Sequence, residues 1–83
     1  MFQAQIKVTL KKTVADPQGL TVKHALESLA FNGIEELRMG KFILIQLKAK
    51  DKAEAEAEVR AMCQKLLANP IIEEFSFEVE EIR

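Results

Sequence analysis

The sequence predicts an α+β domain of the split βαβ, ferredoxin-like kind: a four-stranded antiparallel sheet with two helices on one face. Three observations carry this expectation. Apolar residues alternate with polar ones in the first and last segments, the period-two signature of half-buried strands. Two stretches with apolar residues at helical spacing follow Asp16 and Asp51, each able to cap a helix N-terminus. The resulting order is strand, helix, strand, strand, helix, strand, which is the ferredoxin-like order.

The first strand is expected over residues 4–11, where Ala4, Ile6, Val8 and Leu10 alternate with Gln5, Lys7, Thr9 and Lys11. Asp16-Pro17 then supplies an N-cap and a proline at the first helical position. Gly19 weakens that first turn, which leaves Thr21 as a rival cap. Val22, Ala25, Leu26 and Leu29 form the helix's apolar stripe, and Asn32-Gly33 is expected to close it, glycine taking a left-handed conformation without steric cost. A short strand is expected over residues 36–39. Gly40-Lys41 reads as a tight hairpin turn, and the next strand as residues 42–49, with Ile43, Ile45, Leu47 and Ala49 on one face and Phe42, Leu44, Gln46 and Lys48 on the other.

Asp51 caps the second helix. Its stripe is Ala55, Val59, Met62, Cys63 and Leu66, and its wet face carries Glu54, Glu56, Glu58, Arg60 and Lys65. Acid early and base late suits the helix dipole, and Glu56 and Arg60 are spaced for an i,i+4 pair. Asn69-Pro70 ends it. In the last strand Phe75, Phe77 and Val79 alternate with Glu74, Ser76, Glu78 and Glu80. With helices on one face, the other sheet face is bare. There Lys7, Thr9 and Lys11 should stand beside Ser76, Glu78 and Glu80, and Phe42 and Leu44 form an apolar patch suited to association. Cover by a loop or chain end is the alternative for Phe42.

The chain is 83 residues long and reads as one domain, residues 1–83. A domain this small buries a modest fraction of its surface, so self-association would help it. Hydrophobic residues make up 48% and charged residues 30%, with a net charge of −1. That balance is globular, and it lacks the basic field of a nucleic-acid or anionic-membrane binder. The apolar runs fall short of the ~20 residues a spanning helix needs. The N-terminus has no signal pattern. A single cysteine, Cys63, permits no intrachain disulfide and fits a reducing cytoplasm.

The chemistry-bearing residues are sparse. His24 is the one histidine and has no Cys, Ser or Asp at a motif spacing. Cys63 sits on an apolar stripe, where a thiol acts as a small hydrophobe. One His and one Cys do not make a zinc site. Glu54, Glu56 and Glu58 point apart on a helix, and Glu73-Glu74 reads as a strand entry. An RNA-recognition domain would need stacking aromatics on its central strands; Gly40-Lys41-Phe42-Ile43 offers one such segment, but residues 4–11 offer no aromatic. A copper-carrying domain would need paired cysteines. A regulatory domain that binds a small ligand at a dimer interface stays open on the residues alone.

Several segments together resemble one family over nearly the whole chain. They are Lys7-Val8-Thr9-Leu10-Lys11, Asp16-Pro17-Gln18-Gly19 leading into Val22-Lys23-His24-Ala25-Leu26, Leu37-Arg38-Met39-Gly40-Lys41, Cys63-Gln64-Lys65-Leu66-Leu67-Ala68-Asn69-Pro70, and Ile72-Glu73-Glu74-Phe75. In order and spacing they resemble PurS, the small subunit of phosphoribosylformylglycinamidine synthase, with Leu37 standing where valine is usual. The resemblance implies a ferredoxin-like subunit, a homodimer or higher oligomer, without a catalytic, cofactor or metal site of its own. It implies a complex with a glutaminase subunit and a large synthetase subunit that uses ATP and magnesium to convert formylglycinamide ribonucleotide to formylglycinamidine ribonucleotide, with nitrogen from glutamine. It also implies a role in assembling the complex and supporting ammonia transfer. On that footing Phe42 and Leu44 are expected to serve self-association. Arg38 and Lys41 are expected to make polar contacts with the large subunit, with ordinary solvated charge the alternative for both. For Gly40 the hairpin turn, and for Asp16-Pro17 helix capping, are the favoured roles.

Overall fold

The computed structural model describes residues 1–82. Its elements are β1 (Phe2–Leu10), α1 (Pro17–Ser28), β2 (Gly40–Leu47), α2 (Lys52–Met62), a π-helical turn (Cys63–Leu67) continuing α2, and β3 (Glu73–Glu81). The strands form one antiparallel sheet in the order β2-β1-β3. Ile6 lies between Ile43 and Phe77, and Ala4 between Ile45 and Val79. The period-two pattern therefore sends Phe2, Ala4, Ile6 and Val8 to one face, where all four are buried.

Against them packs α2. Its inward residues Ala55, Val59 and Cys63 are fully buried and recur every four positions. Their small size lets the helix approach the sheet closely, and Phe75, Phe77 and Val79 close the core from β3. Asp51 caps this helix as expected, accepting a hydrogen bond from the Glu54 N–H at 2.8 Å. Beyond Met62 the helix widens: the Ala68 N–H reaches back five residues to the Cys63 carbonyl. The wider turn brings Leu67 and Ala68 back toward the sheet and turns Leu66 outward. Leu66, expected on the apolar stripe, is 83% exposed. Arg60, spaced to pair with Glu56, lies over the ring of Phe77 at 5.0 Å.

Four expectations are corrected. The sheet has three strands, because residues 36–39 form no strand. Their polar groups are engaged elsewhere: the Met39 N–H donates to the Asp16 carboxylate at 2.7 Å, and Arg38 Nη2 donates to the carbonyls of Lys11 and Val14 at 3.0 and 2.8 Å. The segment is tied to the base of α1, away from the edge of β2. Second, Gly40-Lys41 is no hairpin turn. Gly40 begins β2 opposite Thr9, with no positive φ. A Cβ there would stand 2.7 Å from the Val8 carbonyl oxygen, so glycine serves close strand approach.

Third, α1 ends at Ser28, well before Asn32-Gly33. The Phe31 N–H bonds the Leu26 carbonyl and the Ala30 N–H that of Glu27, the paired bonds of a Schellman stop. The left-handed residue is Ala30, at φ 73°. Fourth, the two helices do not share one sheet face. Among the described residues α2 is the helix that packs substantially on the strands. The radius of gyration is 16.3 Å and the longest dimension 50 Å. A compact chain of this length would have a radius near 12 Å, and a nine-residue strand spans only about 30 Å. The loop, α1 and residues 29–39 thus form an arm projecting beyond the sheet.

Candidate functional site

Two ties fix the base of the arm. Asp16 is buried and divides its carboxylate: Oδ1 accepts from the Gly19 N–H at 2.9 Å as the α1 cap, and Oδ2 accepts from the Met39 N–H. These two bonds, the Met39 bond foremost, hold its pKa below the ordinary carboxylate value. Gly19 belongs to the same joint, since a Cβ on it would meet the Leu37 carbonyl oxygen at 2.6 Å. The favoured expectation of capping at Asp16-Pro17 holds, and Thr21 plays no cap role: its hydroxyl donates to the Pro17 carbonyl inside the helix. The second tie is Arg38. Further out, Lys23 Nζ donates to the Glu35 carbonyl at 3.0 Å.

The four residues singled out for association lie in three places. Phe42 and Leu44 are together on the uncovered sheet face, 56% and 57% exposed. Beside them on β1 stand Lys7 and Gln5, and beyond those Ser76 and Glu78 of β3. That face is apolar at the β2 edge and acidic at the β3 edge. Of the expected row only Lys7 stands opposite one of its expected partners, Ser76; Thr9 faces Glu74, Glu78 and Glu80 face Gln5 and Gln3, and Lys11 lies beyond the end of β1. Lys41 takes the opposite side of β2 and reaches Glu73 Oε2 at 3.8 Å, its own side chain 64% exposed and that of Glu73 15%. Arg38 is half-buried in the arm's base.

Sequence reasoning missed a second apolar surface. On the helix side of the sheet nothing roofs β2, so Ile43, Ile45 and Leu47 are only half-buried. A groove of about 520 Å³ opens there, lined by Ile45, Met62, Leu66 and Leu67 with Glu58 and Lys65 at its rim. The expectation that both helices cover this face, together with the assignment of Leu66 to the buried stripe, concealed it.

Among the described residues, no three His, Cys, Asp or Glu side chains gather as a metal site, and no helix is long and apolar enough to cross a membrane. Burial pushes the Cys63 thiol pKa up, away from thiolate chemistry. His24 is exposed on α1.

These features define a small α+β domain whose distinctive surfaces are an open sheet face, an open groove and a projecting arm rather than a catalytic cleft. The chain belongs to the PurS family, described as phosphoribosylformylglycinamidine (FGAM) synthase, whose pattern it matches over residues 3–81. The PurS subunit of Bacillus subtilis is 40% identical, the alignment covering 99% of this chain and 96% of that one. The crystal structure of Methanocaldococcus jannaschii PurS, one of the subunits of formylglycinamide ribonucleotide amidotransferase in the purine biosynthetic pathway, superposes with a TM-score of 0.90 at 38% identity and full coverage of both chains. A chain in the PurLQS structure from Thermotoga maritima superposes at 0.88, with 32% identity over 95% of this chain and 96% of that one.

Proposed function

We propose that this chain is the non-catalytic assembly subunit of phosphoribosylformylglycinamidine synthase. It bridges the glutaminase and the large synthetase subunit and supports ammonia transfer during ATP- and magnesium-dependent conversion of formylglycinamide ribonucleotide to formylglycinamidine ribonucleotide in the cytoplasm. The observation that carries this reading is the match over residues 3–81, together with the superposition on a chain of the Thermotoga PurLQS structure. The paucity of groups able to act as nucleophile, oriented base or metal ligand supports it, since the chemistry then falls to the partners. The whole chain acts as one PurS-like domain. Its strand order is that of a ferredoxin-like sheet lacking one edge strand. Phe42 and Leu44 serve self-association through the uncovered sheet face. Lys41 and Arg38 make polar contacts with the large subunit; Lys41 is the freer of the two, since Arg38 commits one nitrogen to two backbone carbonyls.

The test is glutamine-dependent product formation by the purified glutaminase and synthetase subunits, with and without this protein, using free ammonia as the control nitrogen source. Glutamine-dependent activity should appear only when the chain is added, while ammonia-dependent activity should be largely indifferent to it. Equal glutamine-dependent rates in both mixtures would reject the assembly role.

A further inference from the structure

Asn32-Gly33, expected to close α1, lies beyond its end and takes no part in the Schellman stop. We propose that this pair is a site of spontaneous deamidation, at which the chain converts a neutral side chain on its arm into a carboxylate. The reaction uses only the chain and water. The Gly33 amide nitrogen attacks Cγ of Asn32 and gives up its proton to solvent. The N–Cγ bond forms, the Cγ–Nδ2 bond breaks, and ammonia leaves. Water then opens the cyclic imide at either carbonyl, which leaves an aspartyl or an isoaspartyl residue at position 32.

Asparagine is among the thermolabile residues, and here three conditions for attack are met together. The attacking nitrogen carries no shielding side chain, and even a Cβ built on Gly33 would find nothing within 4 Å. That nitrogen is also uncommitted. Residues 31–34 belong to no helix or strand, and among the described residues neither the Gly33 N–H nor the Asn32 side chain has a hydrogen-bond partner. The backbone between them is free to turn, since the flanking ties stop on either side: the Phe31 N–H bonds the Leu26 carbonyl, and Lys23 Nζ the Glu35 carbonyl. Glycine widens the accessible range. Both residues are exposed, so water reaches the imide.

The other side-chain amides placed like this one supply the contrast. Asn69, the second of the two asparagines, precedes Pro70, whose ring nitrogen has no proton to lose, and its Oδ1 accepts the Ile71 N–H at 3.0 Å. Gln18 precedes a glycine, but the Gly19 N–H is held by Asp16 Oδ1 at 2.9 Å inside α1. Reactivity is thus concentrated beside the exposed ring of Phe31. Conversion adds one negative charge to a net charge of −1 and leaves the joint of Asp16, Arg38 and Met39 intact. The inference does not depend on the proposed synthase role.

Ageing the intact folded protein in warm neutral buffer tests it. Peptide mass mapping should show the Asn32 peptide losing ammonia and then gaining water, as a mixture of aspartyl and isoaspartyl forms, while Asn69 and Gln18 stay unchanged. Isoelectric focusing should show a more acidic band rising in step. Gly33→Ala meets open space and no positive φ, so it should fold and slow the conversion severalfold. The same ageing in denaturant gives the unprotected rate, and the native rate should lie within a few-fold of it. Asn32 that stays intact in the folded chain, equal conversion at Asn32 and Asn69, or a folded Gly33→Ala chain that converts as fast as wild type would each overturn the proposal. The readout is covalent mass, so failure here is distinct from failure of synthase reconstitution.

Discussion

The two helices begin alike and finish in different surroundings. Both start at an aspartate whose side chain accepts an N–H three residues on, and they run for twelve and eleven residues. In α2 the positions facing the sheet are Ala55, Val59 and Cys63, small enough for close approach and all fully buried. In α1 the one buried residue is Gly19, and the joint around it is made of hydrogen bonds rather than apolar contacts. Capping starts a helix, but a seat on a sheet requires a complementary apolar surface within reach of the chain. The protein thus has a hydrophobic body and a polar-hinged arm, and substitutions in the two should behave differently.

The largest difference is expected from Ile6→Ala, in the core cluster with Val59 and Cys63. It should cost about 2–5 kcal/mol in chemical denaturation, whereas Leu20→Ala on the arm should stay within about 0.5 kcal/mol for the isolated protomer. Similar costs would mean that arm and body unfold as one packed unit. Gly19→Ala comes next. Its methyl group would press on the Leu37 carbonyl and the Asp16 carboxylate, for a loss of about 1–3 kcal/mol. Hydrogen exchange should place that loss in α1 and residues 34–39 and spare α2.

Ala30→Gly should act in the opposite direction. It removes a Cβ from a left-handed position and should lengthen the protected part of α1, with a gain of up to about 1 kcal/mol. An unchanged or lowered midpoint would show that the Schellman stop bears no strain.

Acid should separate the arm from the body more gently. The folded pKa of Asp16 is lowered, so its contribution is complete above the unfolded value near 3.9 and fades as the pH falls through the lowered folded value. Exchange protection of the Gly19 and Met39 amides should therefore be flat from neutrality to about pH 5 and fall only below about pH 4. Loss of that protection near pH 6 would implicate a different group. The smallest effect belongs to Lys41→Ala. Its pair with Glu73 is long and its own side chain is 64% exposed, so stability should move by less than about 1 kcal/mol, and a large fall in synthase reconstitution would then report on partner contact.

The body was more legible than the arm for a physical reason. Strand alternation at Ala4, Ile6 and Val8 and the cap at Asp51 are local signals, and each appears in the structure within a residue or two of its expected place. Phe42 and Leu44 were legible as a shared face because period two puts them there. Arg38 and Lys41, three apart in sequence, looked like neighbours in a turn. The pairing of Arg38 with carbonyls 24 and 27 residues away has no local signature. The same holds for Met39, whose N–H belongs to a carboxylate 23 residues earlier.

By itself, then, the sequence determined where the chain is extended, where helices start and which rows are apolar, since these depend on side-chain period and on groups within about four residues. Only the tertiary structure decided that residues 36–39 leave the sheet, that α1 stands clear of it, and that Leu66 faces outward over an open groove. Those outcomes depend on which distant partner claims a buried N–H or carbonyl, and that competition is settled only when the chain is folded.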